Sequence, residues 1–304
     1  MSLPQEYLEY RQRRYGQDIE RYDWQLAKDR DPFRRQDGVK VSAMIVVVCE
    51  FHPINPKKDP FNHPHGMITP YPDLRHFTTR DYGNRVGVYR ILKSLGAHGL
   101  RATFALSADL LARARPLADD ILAEGHEIAA AGLNGDAIHH GGLASDEEKQ
   151  RIESVRATFT QAGLSPRSWM SPARQQGFAT PDFLVANGFN ICLDWEMDQV
   201  PVAMRTEAGP LTCVPVHNEL DDFKLIIERT QTESVWARQI QETRELLGVE
   251  YQTRGSQSFG FTLTPFVSGQ PFRYTALDSI LAGIAADPGC KAETAQEITG
   301  AFAP

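Results

Sequence analysis

The sequence has few cysteines, no long apolar run and no excess of positive charge. Its 4 cysteines lie far apart without a CxxC pair, which argues against a disulfide framework and predicts a reduced, cytoplasmic protein. No stretch approaches the ~18 continuous apolar residues of a membrane helix, and the N-terminus has no apolar signal core, so we expect neither a membrane partner nor export. The formal net charge of −7 argues against a nucleic-acid partner, because such proteins need clustered positive charge to displace phosphate counterions. A glycine-rich phosphate loop and a GxSxG elbow are also lacking, so phosphoryl transfer and serine-ester chemistry are not expected.

A run of apolar, mostly β-branched residues from Val39 to Cys49 predicts a strand that is covered on both faces. Beyond it, strand-like and helix-like segments alternate as far as Ala285, which predicts a parallel sheet whose reactive strand ends share one edge. We therefore expect a single α/β domain over residues 38–304. Residues 1–37 are polar, with aromatic rings at helical spacing, and predict an N-terminal helical arm. Residues 51–79 are rich in proline and histidine and show no period, which is typical of a functional loop or lid.

Three segments carry more specific motifs. They are RDYGNRVGVYRIL at residues 80–92, WMSPARQQGFATPDFLVANGFNICLDWEMDQVP at residues 169–201, and VPVHNELDD with LTPFVSGQPFRY at residues 214–222 and 263–274. Their RDYG, TPD-x-L, DW-xx-D and GQP-x-R elements resemble the polysaccharide deacetylase (NodB-type) superfamily, and within it the allantoinase and cyclic-imide hydrolase branch. This resemblance covers about residues 39–301 and implies a deformed (β/α) barrel of seven or eight mostly parallel strands, with the site at their carboxyl ends.

The resemblance also identifies the positions at which metal-using relatives place their ligands. An Asp lies two residues beyond a first acidic residue, and two His lie four residues apart in the pattern HE-I-xx-H-xxx-H. In this sequence the first acidic position is Glu50, the Asp position is His52, and the His positions are Ala131 and Gly135. The histidine of a later His-Pro pair is replaced by Thr264. Alanine and glycine have no donor atoms, and a catalytic zinc needs three protein ligands, so we expect no metal and no other cofactor. 

An alternative metal site could come from the loop histidines. His63 and His65 stand in an HPH sequence, and His52 and His76 are the other histidines of this region. A ligand cluster needs fixed geometry, which loops rarely provide, so we expect these side chains to be ordinary loop residues.

Three residues are predicted to carry the chemistry: Glu50, His52 and Asp198. Burial at a strand end would raise the pKa of Glu50 into the range of a general base, although the carboxylate could instead pair structurally with an arginine. His52 could orient a substrate or carry a proton, or simply face water. The predicted substrate-contacting residues share a position near a strand or helix end and are Arg80, Asp81, Arg85, Trp169, Arg174, Trp195, His217, Glu219, Thr264 and Arg273. Among them, Asp81 could equally be a helix cap and Trp169 plain core.

These observations favour one function and leave two alternatives open. The first interpretation is a metal-independent hydrolase or lyase that acts on a small polar cyclic amide, an imide or a related C–N bond, with a small-molecule substrate. The second is a catalytically inactive homologue that serves as a small-molecule-binding or structural subunit. Different chemistry on the same scaffold, such as decarboxylation, is a third possibility. The aromatic arm and the resemblance together predict a homodimer or homotetramer.

Overall fold

The computed structural model describes residues 19–56, 72 and 74–303. In this part of the chain, nine strands form one curled sheet. The strands are β1 (Val41–Cys49), β2 (Thr103–Leu106), β3 (Glu127–Ala130), β4 (Ser168–Trp169), β5 (Ile191–Cys192), β6 (Val202–Thr206), β7 (Gly209–Cys213), β8 (Gln257–Leu263) and β9 (Cys290–Ala292). No helix in the described ranges is long and apolar enough to cross a membrane.

Helices alternate with the strands along the chain. They are α1 (Leu74–Tyr82), α2 (Val88–Ala97), α3 (Ala108–Arg113), α4 (Arg115–Ala123), α5 (Ser145–Gln161), α6 (Thr180–Ala186), α7 (Glu233–Arg254), α8 (Tyr274–Ala286) and α9 (Ala295–Ala301). A π-helical turn at Gly83–Gly87 joins α1 to α2, and a second one follows β7 at Phe223–Glu228.

The strand order is β6-β7-β5-β4-β3-β2-β1-β8, and β9 pairs with the first residues of β1. Every pairing is parallel except that of β6 with β7. Two backbone hydrogen bonds join β8 to segments from the far side of the sheet: His217 N donates to Gly260 O at 2.8 Å, and Ser258 N donates to Gln199 O at 2.6 Å. The predicted deformed (β/α) barrel of mostly parallel strands is therefore confirmed.

The pleat of β1 decides which of its residues point into the barrel. Val41, Ala43, Ile45, Val47 and Cys49 belong to the core between sheet and helices. The intervening residues Met44 and Val46 pack instead with apolar side chains in and just after the other strands and with α9, inside the barrel. Because side chains alternate between the two faces, the even-numbered positions continue on the inner face towards the carboxyl end of the strand.

The described part of the predicted arm, residues 19–37, is not helical. It contains a single 3-10 turn at Ala27–Asp29 and otherwise runs along the barrel. Its arginines bind carboxylates that the barrel presents: Arg21 pairs with Asp182 at 2.6 Å, and Arg30 pairs with Asp198. These side-chain pairs hold residues 19–37 against the barrel in a mostly extended path, which corrects the expectation of a helix for this part. Residues 1–18 lie outside the described residues.

Candidate active site

A cavity of about 290 Å³ lies at the carboxyl end of the barrel. Such a volume is at the lower limit of the ~300 to 1,000 Å³ that small-molecule sites usually have, so a small ligand fits it best. Its polar and charged lining residues are Glu50, His52, Arg80, Asn84, Ser171, Arg174, Asn218, Asp221, Lys224, Glu228 and Thr264. Its apolar lining residues are Val48, Ala131, Met170, Ala173, Phe223 and Phe266.

Glu50 follows β1 directly and lines the cavity, as the inner-face alternation of this strand requires. Its side chain is only 12% exposed. Burial raises the pKa of the Glu50 carboxyl to about 7, although the charge of Arg80 opposes the shift. Asn84 Nδ2 donates a hydrogen bond to the backbone oxygen of Glu50 at 2.9 Å and so holds the strand end in place. A carboxyl that titrates near neutral pH can both accept and donate a proton in one reaction cycle.

His52 lies beside Glu50, with its Nε2 3.7 Å from Glu50 Oε2. The imidazole occupies the space above Gly135, because a Cβ on Gly135 would lie 2.3 Å from His52 Cε1 and 2.5 Å from its Nδ1. The backbone of Gly135 is held to the same segment by a 2.9 Å hydrogen bond from its N to Phe51 O. The missing side chain at position 135 is therefore what makes room for the histidine at position 52.

A second acidic group enters the cavity after β7, and it is Asp221 rather than the predicted Glu219. Asp221 lines the cavity, and burial raises the pKa of its carboxyl. Its neighbour Asp222 is fully buried, and its Oδ2 accepts a 2.8 Å hydrogen bond from the backbone N of Thr264. Burial and the nearby charge of Asp221 raise the pKa of Asp222 to about 8. Asp222 thus fixes the end of β8, while Asp221 faces the ligand space.

Lys224 also lines the cavity, on the π-helical turn that begins after Asp222. Asp221 Oδ1 accepts hydrogen bonds from the backbone N of Phe223 at 2.7 Å and of Lys224 at 3.2 Å, which fixes the start of this turn. Lys224 Nζ is paired with Glu228 at 2.6 Å. The NELDD segment signals acidic residues here, but only the folded turn decides which of them faces inward.

Arg174 reaches the cavity from a short 3-10 turn, Pro172–Arg174, that follows β4. Both Ala173 and Arg174 have a left-handed backbone, with φ of 53° and 52°. Arg174 Nη2 donates to Val216 O at 2.5 Å. Its Nε and Nη1 are buried and have no hydrogen-bond partner among the described residues.

The folded chain is similar to solved structures along most of its length. One is a probable polysaccharide deacetylase from Pseudomonas aeruginosa PAO1, with 17% sequence identity, a TM-score of 0.74, and coverage of 88% of this chain and 92% of that one. Another is Puue allantoinase, with 18% identity, a TM-score of 0.76, and coverage of 88% of this chain and 91% of that one. No family model matches the chain, and no curated protein matches its sequence. The chain has the NodB-type fold.

Within the NodB-type fold, the residues at the expected metal positions do not fit a divalent ion. Ala131 lines the cavity without a donor atom, and Gly135 lies under the ring of His52. Across residues 19–56, 72 and 74–303, no three His, Cys, Asp or Glu side chains are grouped so that they could hold a metal. His63 and His65, the other predicted candidates, lie outside the described residues. His76 lies on α1 and is not among the residues that line the cavity.

Five predicted site residues meet in the cavity of the NodB-type fold: Glu50, His52, Arg80, Arg174 and Thr264. Asp198 does not line it, because its carboxylate is paired with Arg30 and accepts a 2.7 Å hydrogen bond from Gln199 N. The predicted catalytic position of Asp198 is corrected on this basis.

The two predicted tryptophans are also placed elsewhere. Trp169 has no exposed surface, packs against Phe189 with ring centroids 5.0 Å apart, and donates from Nε1 to Ser171 Oγ at 2.8 Å. Trp195 packs against the core and donates from Nε1 to Gln176 Oε1 at 3.0 Å. Neither ring lines the cavity, so both tryptophans have a packing role instead of the predicted substrate contact.

The remaining predicted contacts are ion pairs or backbone supports outside the cavity. Asp81 at the end of α1 pairs with Arg85 of the π-helical turn at 2.7 Å, Glu219 pairs with Arg229 at 2.9 Å, and Arg273 pairs with Glu233 at 2.9 Å. His217 contributes its backbone N to the closure of the barrel, and burial lowers the pKa of its ring. Asp81, Glu219 and Arg273 each find a protein partner in the folded chain, and a local sequence motif does not distinguish such a partner from a ligand.

Proposed function

We propose that this protein is a metal-independent hydrolase of a C–N bond in a small polar cyclic amide or imide, with Glu50 as the general base. The observation that carries this proposal is the environment of Glu50. It is a buried carboxyl with a pKa of about 7, beside His52, in a cavity of about 290 Å³ at the mouth of a NodB-type barrel. The fold likeness to proteins named polysaccharide deacetylase and allantoinase supports hydrolysis as the class of reaction.

In the proposed reaction, ionised Glu50 takes a proton from water while the water oxygen bonds to the carbonyl carbon. The carbonyl oxygen gains a negative charge, which the cation Arg80 at the cavity wall would stabilise. The C–N bond then breaks with its electron pair going to nitrogen, and protonated Glu50 returns its proton to that nitrogen. The ring opens to a carboxylic acid and an amine or amide, and the base is regenerated.

Metal independence follows in this proposal from the donor set. The positions that would complete a ligand triad are Ala131 and Gly135, and the place of a side chain at 135 is taken by His52. Homo-oligomerisation and a cytoplasmic location remain predictions from the sequence.

The test uses purified full-length protein and a panel of hydantoin, dihydrouracil and succinimide, together with the carboxylate-bearing rings hydantoin-5-acetate and dihydroorotate, with release of the ring-opened acid as the readout. We expect hydrolysis of at least one compound, unchanged after chelation and dialysis, and a loss of about 100-fold or more in Glu50→Gln. Glu153→Gln, which alters a half-exposed carboxylate on α5, is the matched control and should retain full activity. About one zinc per chain in metal analysis, with activity lost on chelation, would refute metal independence.

The inactive-homologue interpretation makes the opposite prediction for the same panel. If the wild type opens none of the rings, and Glu50→Gln changes neither ligand binding nor stability, the cavity is a remnant of the fold. The observation that keeps this alternative in view is the loss of donor atoms at Ala131 and Gly135, since a barrel without catalytic selection would tolerate both.

A further inference from the structure

The buried guanidinium of Arg174 forms fewer hydrogen bonds than its N–H groups can donate. Nη2 binds Val216 O, while Nε and Nη1 are buried without a partner among the described residues. A buried charged donor that is left unpaired is strongly disfavoured, and such groups in native structures call for an explanation by function or by an absent binding partner. Arg174 lines the cavity, so a ligand bound there is well placed to accept hydrogen bonds from its Nε and Nη1.

The acidic side chains within electrostatic range of Arg174 do not take this role. Asp194 is engaged by Ser171 N at 2.8 Å and by Gln176 Nε2 at 2.6 Å. Asp221 accepts from two backbone N–H groups of the turn that it begins. Both carboxylates feel the positive charge of Arg174, yet neither forms a hydrogen bond with it.

The backbone under Arg174 is also strained. Ala173 and Arg174 are two successive non-glycine residues in the left-handed region, and both line the cavity. Strain of this kind persists where the surrounding structure holds a residue in place, and it concentrates at ligand clamps. Folding alone gains nothing from placing an under-satisfied arginine on a strained turn.

The cations Lys224 and Arg174 differ in their ion pairing, and this difference indicates what Arg174 would bind. Lys224 is neutralised by Glu228, whereas Arg174 has no ion-pair partner within 4 Å among the described residues. A guanidinium presents parallel N–H donors that match the planar geometry and charge of a carboxylate. We propose that the cavity takes a small organic anion, and that Arg174 binds the carboxylate of the substrate. This rests on the proposed function, because it names the substrate class of that same site: a cyclic amide or imide that carries a carboxylate.

The test measures binding rather than turnover, with succinate as the probe and succinamide as its uncharged counterpart. Calorimetry on the full-length wild type should show that succinate binds at least 10-fold more tightly than succinamide, since only the anion satisfies the guanidinium. Arg174→Met should remove this preference, and Arg174→Lys should keep part of it as a point charge. Arg238→Met, which alters an exposed arginine on α7, is the control and should bind as the wild type does.

Two results would overturn the proposal: equal binding of succinate and succinamide by the wild type, or an undiminished preference in Arg174→Met. Thermal melts confirm that the variants are folded, and Arg174→Lys provides the test if Arg174→Met is not. Glu50→Gln should retain the preference for the anion, which separates this proposal from the proposed hydrolysis. Ring opening without anion preference would refute only the role of Arg174, and anion preference without ring opening would refute only the hydrolysis.

Discussion

The two ends of the barrel both bury carboxylates, but they treat them in opposite ways. At the amino end of the strands, Glu293 is 1% exposed and is bound by Arg35, by Ser42 Oγ at 2.8 Å and by Lys291 Nζ at 3.0 Å. Burial alone would raise the pKa of Glu293, but these partners lower it overall. At the carboxyl end, burial raises the pKa of Glu50 against the weaker opposing charge of Arg80.

Glu127 repeats the pattern of the amino end. Its carboxylate accepts hydrogen bonds from Thr103 Oγ1 at 3.1 Å, from Gln296 N and Nε2 at 3.1 Å each, and from Ser168 Oγ. It thereby ties β2, β3 and β4 to the start of α9. The comparison shows that a buried carboxylate stabilises the fold where the structure supplies its partners, and is available for chemistry where the structure withholds them.

The largest effect should come from breaking the fully paired end. Glu293→Gln removes the more buried of the two carboxylates that pair with the guanidinium of Arg35, the other being Asp37, so it should lower the free energy of unfolding by roughly 3 kcal/mol. Urea unfolding at pH 7 measures this loss. Glu153→Gln should stay within about 0.5 kcal/mol of the wild type. A loss below about 1 kcal/mol in Glu293→Gln would show that the pair at the amino end is not what stabilises it.

The stability that Glu50 contributes at the carboxyl end should depend on pH with the opposite sign to that of Glu293, because the pKa of Glu50 is raised and that of Glu293 is lowered. The pKa of Glu50 is about 7 when folded against an ordinary 4.5, so the folded state binds more protons than the unfolded state between these values. The stability contributed by protonated Glu50 is full below about pH 4.5 and is lost as the pH rises through 7, by at most roughly 3 kcal/mol. Glu50→Gln cannot titrate and should exceed the wild type in stability at pH 8 but not at pH 4.5.

Denaturant melts of both proteins at several pH values test this prediction, and the charge of Asp222 cancels in the difference between them. Wild-type activity should rise with pH through about 7, because the base must be ionised. A stability difference that does not change with pH would contradict the raised pKa of Glu50.

A smaller effect should reveal how His52 replaces the missing side chain at Gly135. Gly135→Ala puts a Cβ 2.3 Å from the imidazole, so the ring must move, at a cost of about 1 to 2 kcal/mol. In a His52→Ala background the same change should cost almost nothing, which gives a coupling energy near 1 kcal/mol in a double-mutant cycle. Additive effects would mean that His52 does not depend on the space above Gly135.

The smallest expected change is a gain of stability at the ligand end. Ala173→Gly relieves a left-handed backbone that costs an L-residue about 1 kcal/mol, so the free energy of unfolding should rise by about that amount. Gly163→Ala, at a left-handed glycine far from the cavity, should lose a similar amount and serves as the reference. A loss of stability in Ala173→Gly would show that the turn is not strained.

The sequence by itself determined the frame of this protein. The apolar run before Glu50 forms β1, the alternation of strands and helices produces a parallel barrel, and the position of Glu50 after β1 places it at the mouth. The same local reasoning missed the antiparallel β6 and the short β9, because these strands are defined by their neighbours rather than by a period of their own. It also missed helix α9, although the capping box of Thr294 and Glu297 marks its start.

Only the tertiary structure decided which polar residues belong to the site. Asp198 is excluded from the cavity by its pairing with Arg30, which lies 168 residues away in the sequence. Trp169 is excluded because it packs against Phe189 in the core. Asp221 and Lys224 line the cavity because a π-helical turn follows Asp222, and no residue spacing in the sequence predicts that turn. Secondary structure is determined largely by the local sequence, since hydrogen-bond geometry and side-chain alternation repeat over a few residues. The partner of a charged side chain is not determined locally, because it depends on which distant segments the barrel brings within hydrogen-bonding distance.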